Sequence, residues 1–304
     1  MNNIINYYYG LNIIDVYNLE DKYYFNYNNY NYFLILFNRD PKDIKSIIDL
    51  CIELKNRNVL TNEIIINKFN TFLTPINNNY YVLIKENSKD NLITMNDILY
   101  IQNNTVNMNA SKNLYRIDSI KLWESKIDYY ESKIKEIQNK YKYVDMSFDY
   151  YIGLAENAVI YLINNPVKVN NIVLSHRRID LNKGAFDYYN PINYIIDNRT
   201  RDFAEYIKNL FFNGEFNFDN FINFLNYMNF NRDEYILFMA RLLFPTYYFD
   251  LLDKIINNNE NDLILENIIN KADNYIDFLK NTFNYIFINK RINIPYITWI
   301  IKKI

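Results

Sequence analysis

The chain has 304 residues, of which 50% are hydrophobic and 18% aromatic, and it carries 33 Lys and Arg against 35 Asp and Glu. The formal net charge of −2 excludes the positive excess with which proteins hold nucleic acid, so no nucleic-acid partner is expected. The single cysteine, Cys51, excludes an intramolecular disulfide and a cysteine-rich zinc site. At roughly 100–200 residues per domain, the length predicts one large domain or two coupled ones.

Glycine occurs only four times, at Gly10, Gly153, Gly184 and Gly214. No two of these lie close enough to form a dinucleotide fingerprint, a P-loop or a kinase-type glycine-rich loop. No apolar run reaches the ~18 residues that a transmembrane helix needs, and the first residues lack the basic start and small-residue cleavage site of a signal peptide. We therefore expect a soluble protein of the cytoplasm with no membrane partner.

The first 86 residues contain short runs of aromatic and β-branched residues, which are typical of strands. Asn28 and Asn29 stand between two of these runs, where a two-residue hairpin turn needs positive φ. After the third run, Asp40 can cap a helix that has Pro41 at its first position. The predicted strands are residues 13–17, 22–27, 30–37, 69–74 and 80–85, and the predicted buried face of the helix is Ile44, Ile47, Ile48 and Cys51.

From about residue 91 onward, the spacing of apolar residues becomes helical. In residues 120–137 it alternates between three and four and forms one stripe flanked by Lys and Glu. Such a stripe can join two chains or pack within its own domain, and we favour the second. The apolar runs 171–174 and 194–196 are expected to be the short strands of a hairpin that carries a site. The other predicted helices are residues 148–164, 200–212, 218–228, 233–244, 247–257 and 263–287.

This pattern predicts an α+β protein with two lobes, residues 1–88 and 89–304. A small lobe of five antiparallel strands with one helix after the third, followed by a large and mainly helical lobe, resembles the protein-kinase-like phosphotransferases. Residues 175–182 stand where a catalytic loop follows a strand, and Asp197 stands where a metal-binding carboxylate follows the next strand. Phosphoryl transfer needs such groups because one Asp orients the attacking hydroxyl, while an Asn and a second Asp hold the magnesium ions on ATP.

Five segments carry a more specific resemblance: residues 80–85, 151–161, 175–178, 194–207 and 241–250. They resemble the spore-coat-associated YutH proteins, which are relatives of the CotS coat proteins in the aminoglycoside phosphotransferase and choline kinase superfamily. The resemblance covers most of the chain. It implies a kinase-like bilobal fold and a role in sporulation, with association with the spore coat and spore coat proteins as partners.

The catalytic loop departs from the pattern of that superfamily, His-x-Asp-x-x-x-x-Asn. Here Arg178 stands at the Asp position and Lys183 at the Asn position. A guanidinium only donates hydrogen bonds, so Arg178 cannot accept a substrate proton or bind magnesium. The third strand has no lysine to pair with Glu53, which we interpret as a solvated helix residue. Asp197 remains in the metal position, without a second ligand.

Two interpretations are open at the loop. A shifted register can present Asp180 as the catalytic base and Asn182 as a magnesium ligand, or both can bond nearby backbone and cap the loop, which we favour. His176 is the only histidine and can be a general base. The resemblance implies instead that His176 is structural and bonds backbone beside the metal-binding Asp, and we favour this role.

Arg178 and Arg199 are the candidates for binding an anion. Thr200 can cap the helix that follows, and acidic residues in the first turns favour the positive end of that helix. For Arg199 the alternative is an ion pair with Asp202 or Glu205, which we favour. The resemblance implies that Asp202 is a buried carboxylate that accepts backbone donors from the catalytic loop.

The first hypothesis for function is a kinase-like pseudoenzyme of the spore coat, which acts by binding a protein or a ligand and needs no cofactor. The alternative is an active small-molecule phosphotransferase that uses ATP and Mg²⁺, with Asp180 and Asp197 in catalytic roles. A third possibility is a pocket that binds an anion around His176, Arg178 and Arg199 without turnover. The substrate, the partner and the oligomeric state are left open.

Overall fold

The computed structural model describes residues 1–19, 22–88, 92–137, 139–298 and 300. The protein is α+β, as predicted from the sequence. The helices are α1 (Asn2–Tyr9), α2 (Asp43–Asn56), α3 (Met95–Thr105), α4 (Ser119–Ile137), α5 (Lys142–Asn164), α6 (Gly184–Tyr188), α7 (Thr200–Asn213), α8 (Phe218–Met228), α9 (Arg232–Leu243), α10 (Thr246–Asn258), α11 (Glu266–Asn270) and α12 (Ala272–Asn284). The strands are β1 (Tyr17–Leu19), β2 (Lys22–Tyr27), β3 (Tyr30–Leu36), β4 (Glu63–Ile65), β5 (Thr74–Ile76), β6 (Asn79–Lys85), β7 (Ile172–His176) and β8 (Tyr194–Asn198).

The chain divides into two compact units. The first consists of Met1–Tyr115 with Ile172–Asp197, and the second of Arg116–Asn171 with Asn198–Ile304. The first unit therefore adds residues 89–115 and 172–197 to the predicted small lobe, partly because Leu174 of β7 donates its backbone N–H to Thr105 Oγ1 of α3 at 3.0 Å. The predicted lobes, 1–88 and 89–304, stay a prediction from sequence pattern.

The first unit is built on an antiparallel sheet. In the described residues this sheet has six strands in the order β1-β2-β3-β6-β4, with β5 also paired to β6. Helix α1 covers one face, where Ile5 packs with Phe25, Leu34 and Leu83 in a cluster of fully buried side chains. This burial stabilises the unit by removing apolar surface from water.

The turn predicted at Asn28 and Asn29 is confirmed, and a second asparagine turn of the same kind lies between β5 and β6. Asn28 and Asn29 have φ of 50° and 63° and join β2 to β3. Asn77 and Asn78 have φ of 47° and 64° and join β5 to β6 in the same way. Asparagine tolerates the left-handed region, and consecutive positive φ values match the twist of a two-residue hairpin.

Other elements of the first unit differ from the prediction. Helix α1 and strand β4 were not expected, so the predicted five strands are six. Strand β1 begins at Tyr17 instead of residue 13. Residues 69–74, predicted to be a strand, form turns up to Thr74, because the buried side chain of Asn67 accepts the backbone N–H groups of Phe69 and Thr71.

Helix α2 begins later than expected and buries a different face. Asp40 accepts the backbone N–H of Lys42 at 2.9 Å, and the helix begins at residue 43. Its fully buried side chains are Ile47, Leu50 and Leu54, whereas Cys51 is half-buried. Burial still raises the pKa of the Cys51 thiol to about 12, which disfavours the thiolate.

The second unit is helical, and the apolar stripe of α4 packs within it. Trp123 stacks on Phe244 and Tyr130 stacks on Phe249, both at centroid distances of 4.5 Å. This confirms the interpretation that the stripe belongs to its own domain. The predicted helix 263–287 is divided into several shorter elements, with a break between α11 and α12. Within the described ranges no helix combines the length and apolar character needed to cross a bilayer.

Candidate functional site

The predicted site-bearing hairpin is present in the first unit. Strands β7 and β8 pair as a two-stranded sheet, and Arg177 donates its backbone N–H to Asn193 O at 2.8 Å just beyond β7. The connection contains a short 3₁₀ turn, Leu181–Lys183, followed by α6. The sequence Asp180-Leu-Asn-Lys-Gly184 forms the turn because Asp180 caps it and Gly184 has φ of 74°, a region that glycine enters without strain.

His176 lies at the end of β7 in an aromatic environment. Its ring stacks on Tyr188 with centroids 4.1 Å apart and meets Tyr194 edge-on at 5.4 Å. Only 1% of its surface is exposed. A ring enclosed in this way is positioned to fix the loop rather than to exchange protons with a substrate, which favours the structural role.

Arg178, at the position of the catalytic Asp, is exposed. Its Nη1 donates to the backbone carbonyl of Arg177 at 2.8 Å. The neighbouring Arg177 instead donates to Asn38 Oδ1 at 3.1 Å. The guanidinium of Arg178 therefore lies against its own loop, where it contributes positive charge and hydrogen-bond donors but no acceptor.

Asp180 acts as a capping residue. Its Oδ1 accepts the backbone N–H of Asn182 at 3.0 Å, which begins the 3₁₀ turn. The side chains of Asn182 and Lys183 are exposed. This is the loop-capping geometry favoured from the sequence for Asp180, since Asp readily bonds the backbone two residues ahead.

Asp197 is buried in β8, with 1% of its surface exposed. The next residue, Asn198, ends the strand: its Nδ2 donates to Asn170 O and its Oδ1 accepts the backbone N–H of Thr200. Asn198, rather than Thr200, is thus the side chain that caps the start of α7. No group of three or more His, Cys, Asp or Glu in the described part of the chain is arranged to hold a metal ion.

Arg199 forms an ion pair that the sequence did not predict. Its Nε and Nη2 contact the two carboxylate oxygens of Glu234 at 2.6 and 2.8 Å, and Asn171 donates to the same carboxylate at 2.9 Å. Arg199 therefore has a carboxylate partner in Glu234 of α9, and its expected pairing with Asp202 or Glu205 stays a prediction. Burial alone would raise the pKa of Glu234, but the Arg199 guanidinium and the other donors hold it below its ordinary value.

The two arginines of the predicted anion site belong to different compact units. Arg178 lies in the first unit and Arg199 in the second. A shared anion site stays a prediction. Asp202 is 1% exposed in the first turn of α7, where its charge favours the positive end of the helix.

The structure adds residues that sequence reasoning missed. Phe186 of α6 contacts Phe33 of β3 with ring centroids 3.9 Å apart. Lys22 of β2 lies 3.6 Å from the carboxylate of Asp187 and 4.9 Å from the ring centroid of Phe186. Asn62, which is fully buried, donates its Nδ2 to Phe186 O at 3.0 Å. No periodicity or motif marks these residues, because each contact joins segments far apart in sequence.

Glu53 of α2 is engaged within its own helix. Its Oε1 lies 2.8 Å from Nε of Arg57, four residues later, and both side chains are about one-third exposed. This agrees with the interpretation of Glu53 as a solvated helix residue. Such exposed pairs contribute little to stability.

Solved structures of small-molecule phosphotransferases share this fold. An aminoglycoside phosphotransferase from Alicyclobacillus acidocaldarius matches with a TM-score of 0.61 at 11% identity, over 90% of this chain and 93% of that one. The AMP-bound spectinomycin phosphotransferase matches with a TM-score of 0.58 at 12% identity, over 93% of each chain. Choline kinase LicA from Streptococcus pneumoniae matches with a TM-score of 0.54 at 14% identity, over 90% of this chain and 95% of that one. At these identities the likeness concerns the fold, and it defines the class as kinase-like.

Within this class, the sequence also identifies the family. The profile described as "Spore coat putative kinase YutH" matches residues 2–282, so the chain belongs to the YutH family. The endospore coat-associated protein YutH of Bacillus subtilis strain 168 is 24% identical over an alignment of 172 residues, and the match covers 51% of this chain and 51% of that protein. The match thus spans about half the length of this curated relative. The family resemblance seen in the sequence is confirmed.

Proposed function

We propose that this chain is a kinase-like pseudoenzyme associated with the spore coat, and that it acts by binding rather than by phosphoryl transfer. The observation that carries the proposal is Arg178. A side chain at this position must accept a proton from the attacking hydroxyl, and a guanidinium bonded to its own backbone offers only donors. The coat as the place of action is supported by membership of the YutH family.

Asp180, the alternative candidate for the catalytic base, has a structural role in the loop. Asp180 accepts the N–H of Asn182 and caps the turn that leads into α6. Turning this carboxylate toward a substrate would remove the cap, which costs about 1 kcal/mol at such positions. This geometry supports loop capping over the shifted register.

The contacts on β3 also speak against a magnesium–nucleotide site. A planar base held between Phe33 and Phe186 would need ring faces about 7 Å apart, twice an ordinary carbon contact, but the centroids are 3.9 Å apart. Lys22, whose ammonium lies 4.9 Å from the Phe186 ring centroid, is paired with Asp187. These contacts support the proposal that the chain acts without ATP and Mg²⁺.

Thermal unfolding with and without ATP and Mg²⁺ tests this proposal. A ligand that binds only the folded state raises its stability by about 2.7 kcal/mol at a hundredfold excess over its Kd. We expect no change in Tm at millimolar nucleotide. A rise in Tm that requires Mg²⁺ and disappears in Asp197→Asn would contradict the proposal and support the alternative, an active small-molecule phosphotransferase.

A second experiment tests the binding role itself. Arg178→Asp restores the acidic side chain at an exposed position, where substitutions usually change stability by less than about 0.5 kcal/mol. Fluorescent fusions of the wild type and of Arg178→Asp would be compared on spores of a Bacillus subtilis strain that lacks its own YutH. We expect the same coat-associated signal from both. A signal that only one of them gives would count against a role independent of the catalytic position.

A further inference from the structure

An open aromatic groove lies on the first unit. It has a volume of about 640 Å³, within the range of roughly 300–1,000 Å³ that ligand sites occupy. Tyr7, Phe69 and Tyr80 are 57%, 50% and 43% exposed, so the groove is open to solvent along its wall. Its lining is Tyr7, Tyr8, Ile44, Asn67, Phe69, Thr71, Phe72, Leu73, Pro75 and Tyr80.

The groove is held rigid by hydrogen bonds beneath it. Asn67 is buried, and its side chain donates to Thr71 Oγ1 at 2.8 Å while it accepts the backbone N–H of Phe69. Lys68 donates its backbone N–H to Tyr8 O at 2.9 Å, which joins the loop to the end of α1. A surface fixed in this way loses little conformational entropy when a ligand binds.

The rim of the groove carries a positive charge that lies against two of its aromatic rings. The ammonium of Lys68 lies 3.7 Å from the ring centroid of Tyr7 and 5.2 Å from that of Phe69. In the described residues no carboxylate pairs with Lys68. The chemistry offered is therefore a set of aromatic faces beside one cation.

We propose that this groove binds an extended segment of a partner protein that presents an aromatic side chain next to a carboxylate. The aromatic ring packs against Phe69 and Tyr80, and the carboxylate pairs with Lys68 at the rim. An extended segment fits because the groove is open on one side, whereas an enclosed cavity would take a small molecule. The groove does not involve Arg178 or the loop, so this proposal stands or falls independently of nucleotide binding.

The test is selection from a random twelve-residue peptide library displayed on phage, with the full-length chain as bait and Phe69→Ala for counter-selection. We expect enriched peptides in which an aromatic residue lies within two positions of Asp or Glu. Their affinity should fall about tenfold in Phe69→Ala and about fivefold in Lys68→Glu. Both positions are exposed, so the variants are expected to fold.

Two matched controls distinguish binding in the groove from nonspecific binding to exposed aromatic or basic side chains. Tyr227→Ala removes an aromatic ring that is 63% exposed on α8, and Lys142→Glu reverses a lysine that lies 5.5 Å from the Tyr143 centroid. Both should bind the selected peptides as the wild type does. Enrichment of proline-rich peptides without acidic residues, affinities that Phe69→Ala or Lys68→Glu leaves unchanged, or no enrichment at all would each overturn the proposal.

Discussion

Phe33 of β3 and Phe186 of α6 are in direct contact, with ring centroids 3.9 Å apart. Lys22 adds an ion pair to Asp187 and a contact with the Phe186 ring, so the helix that follows the loop is fixed to the sheet by apolar and charged contacts together. These contacts therefore help to fix the place of the loop between Arg178 and Lys183.

Replacing Phe186 by Ala should lower the free energy of unfolding by about 3 kcal/mol, because the substitution leaves a cavity at the Phe33 contact in addition to losing buried apolar surface. Urea titration followed by circular dichroism measures this difference. Tyr227→Ala, at an exposed aromatic position, should stay within about 0.5 kcal/mol of the wild type. Equal effects of the two substitutions would show that Phe186 does not anchor α6.

Much of the fold was predictable because local pattern and tertiary packing agree. The turn at Asn28 and Asn29, the long helix α4 and the paired strands β7 and β8 follow from turn chemistry and apolar spacing. Strand β4 has only three residues and depends on its pairing with β6, so no periodic signal marks it. Helix α1 was missed because Ile5 is its only fully buried residue.

The candidate site was also predictable only in part. The positions of His176, Arg178 and Asp197 could be found from the motif, since they lie at or just beyond the ends of two successive strands. Their partners could not, because tertiary contacts decide them. The carboxylate that pairs with Arg199 comes from Glu234, 35 residues along the chain, and no sequence pattern links the two.

Lys208 in α7 should be a strong determinant of stability. Its ammonium is 1% exposed and donates to the carbonyls of Arg241 and Phe244, at the C-terminal end of α9, as well as to Glu205 Oε1 and Thr246 Oγ1. A cation there satisfies carbonyls that the helix leaves unpaired. Lys208→Met should lower the free energy of unfolding by about 3–5 kcal/mol, since the Glu205 carboxylate and these carbonyls lose their ammonium partner. Urea titration measures the loss.

The double variant is the control for that prediction. Glu205→Gln added to Lys208→Met removes the stranded charge, so it should recover part of the lost stability. Arg57→Met breaks the exposed pair with Glu53 and should have no measurable effect on the same assay. A double variant no more stable than Lys208→Met alone would mean that the lost carbonyl contacts, rather than the buried charge, account for the cost.

Acid should destabilise the protein through two glutamates. The pKa of Glu205 lies below 4.5, because the Lys208 ammonium outweighs the effect of burial, and the pKa of Glu234 is lowered by Arg199 in the same way. A carboxyl with a folded-state pKa below its unfolded value stabilises the protein above about pH 4.5, and this stability is lost as the pH falls. Urea titrations from pH 7 downward should show the decline, and Glu234→Gln should make it shallower. A slope that Glu234→Gln leaves unchanged would exclude Glu234 as a contributor.

Alkali should unfold the protein through its buried tyrosines. Burial raises the pKa of Tyr235 to about 12 and places those of Tyr194, Tyr247 and Tyr275 further above the ordinary value of 10.0. A group whose folded-state pKa is raised stabilises the protein fully below pH 10 and loses that contribution as the pH rises toward the folded-state value. The unfolded chain gives up these protons at about pH 10, so the free energy of unfolding falls as the pH rises above this value.

Tyrosinate absorbance and circular dichroism, recorded together across the alkaline range, measure this effect. An unperturbed tyrosine ionises at about pH 10, so a first step is expected there without a change in helical signal. The buried hydroxyls should ionise in a second, cooperative step that coincides with the loss of helix. Tyr275→Phe keeps the ring contacts with Phe211 and Tyr247 but loses the hydrogen bond to Leu242 O. Because the variant has one buried ionisable hydroxyl fewer, it should undergo this step at a higher pH than a protein of equal stability at pH 7 that keeps the hydroxyl. Complete ionisation with the helix intact would mean that the tyrosine core is open to solvent.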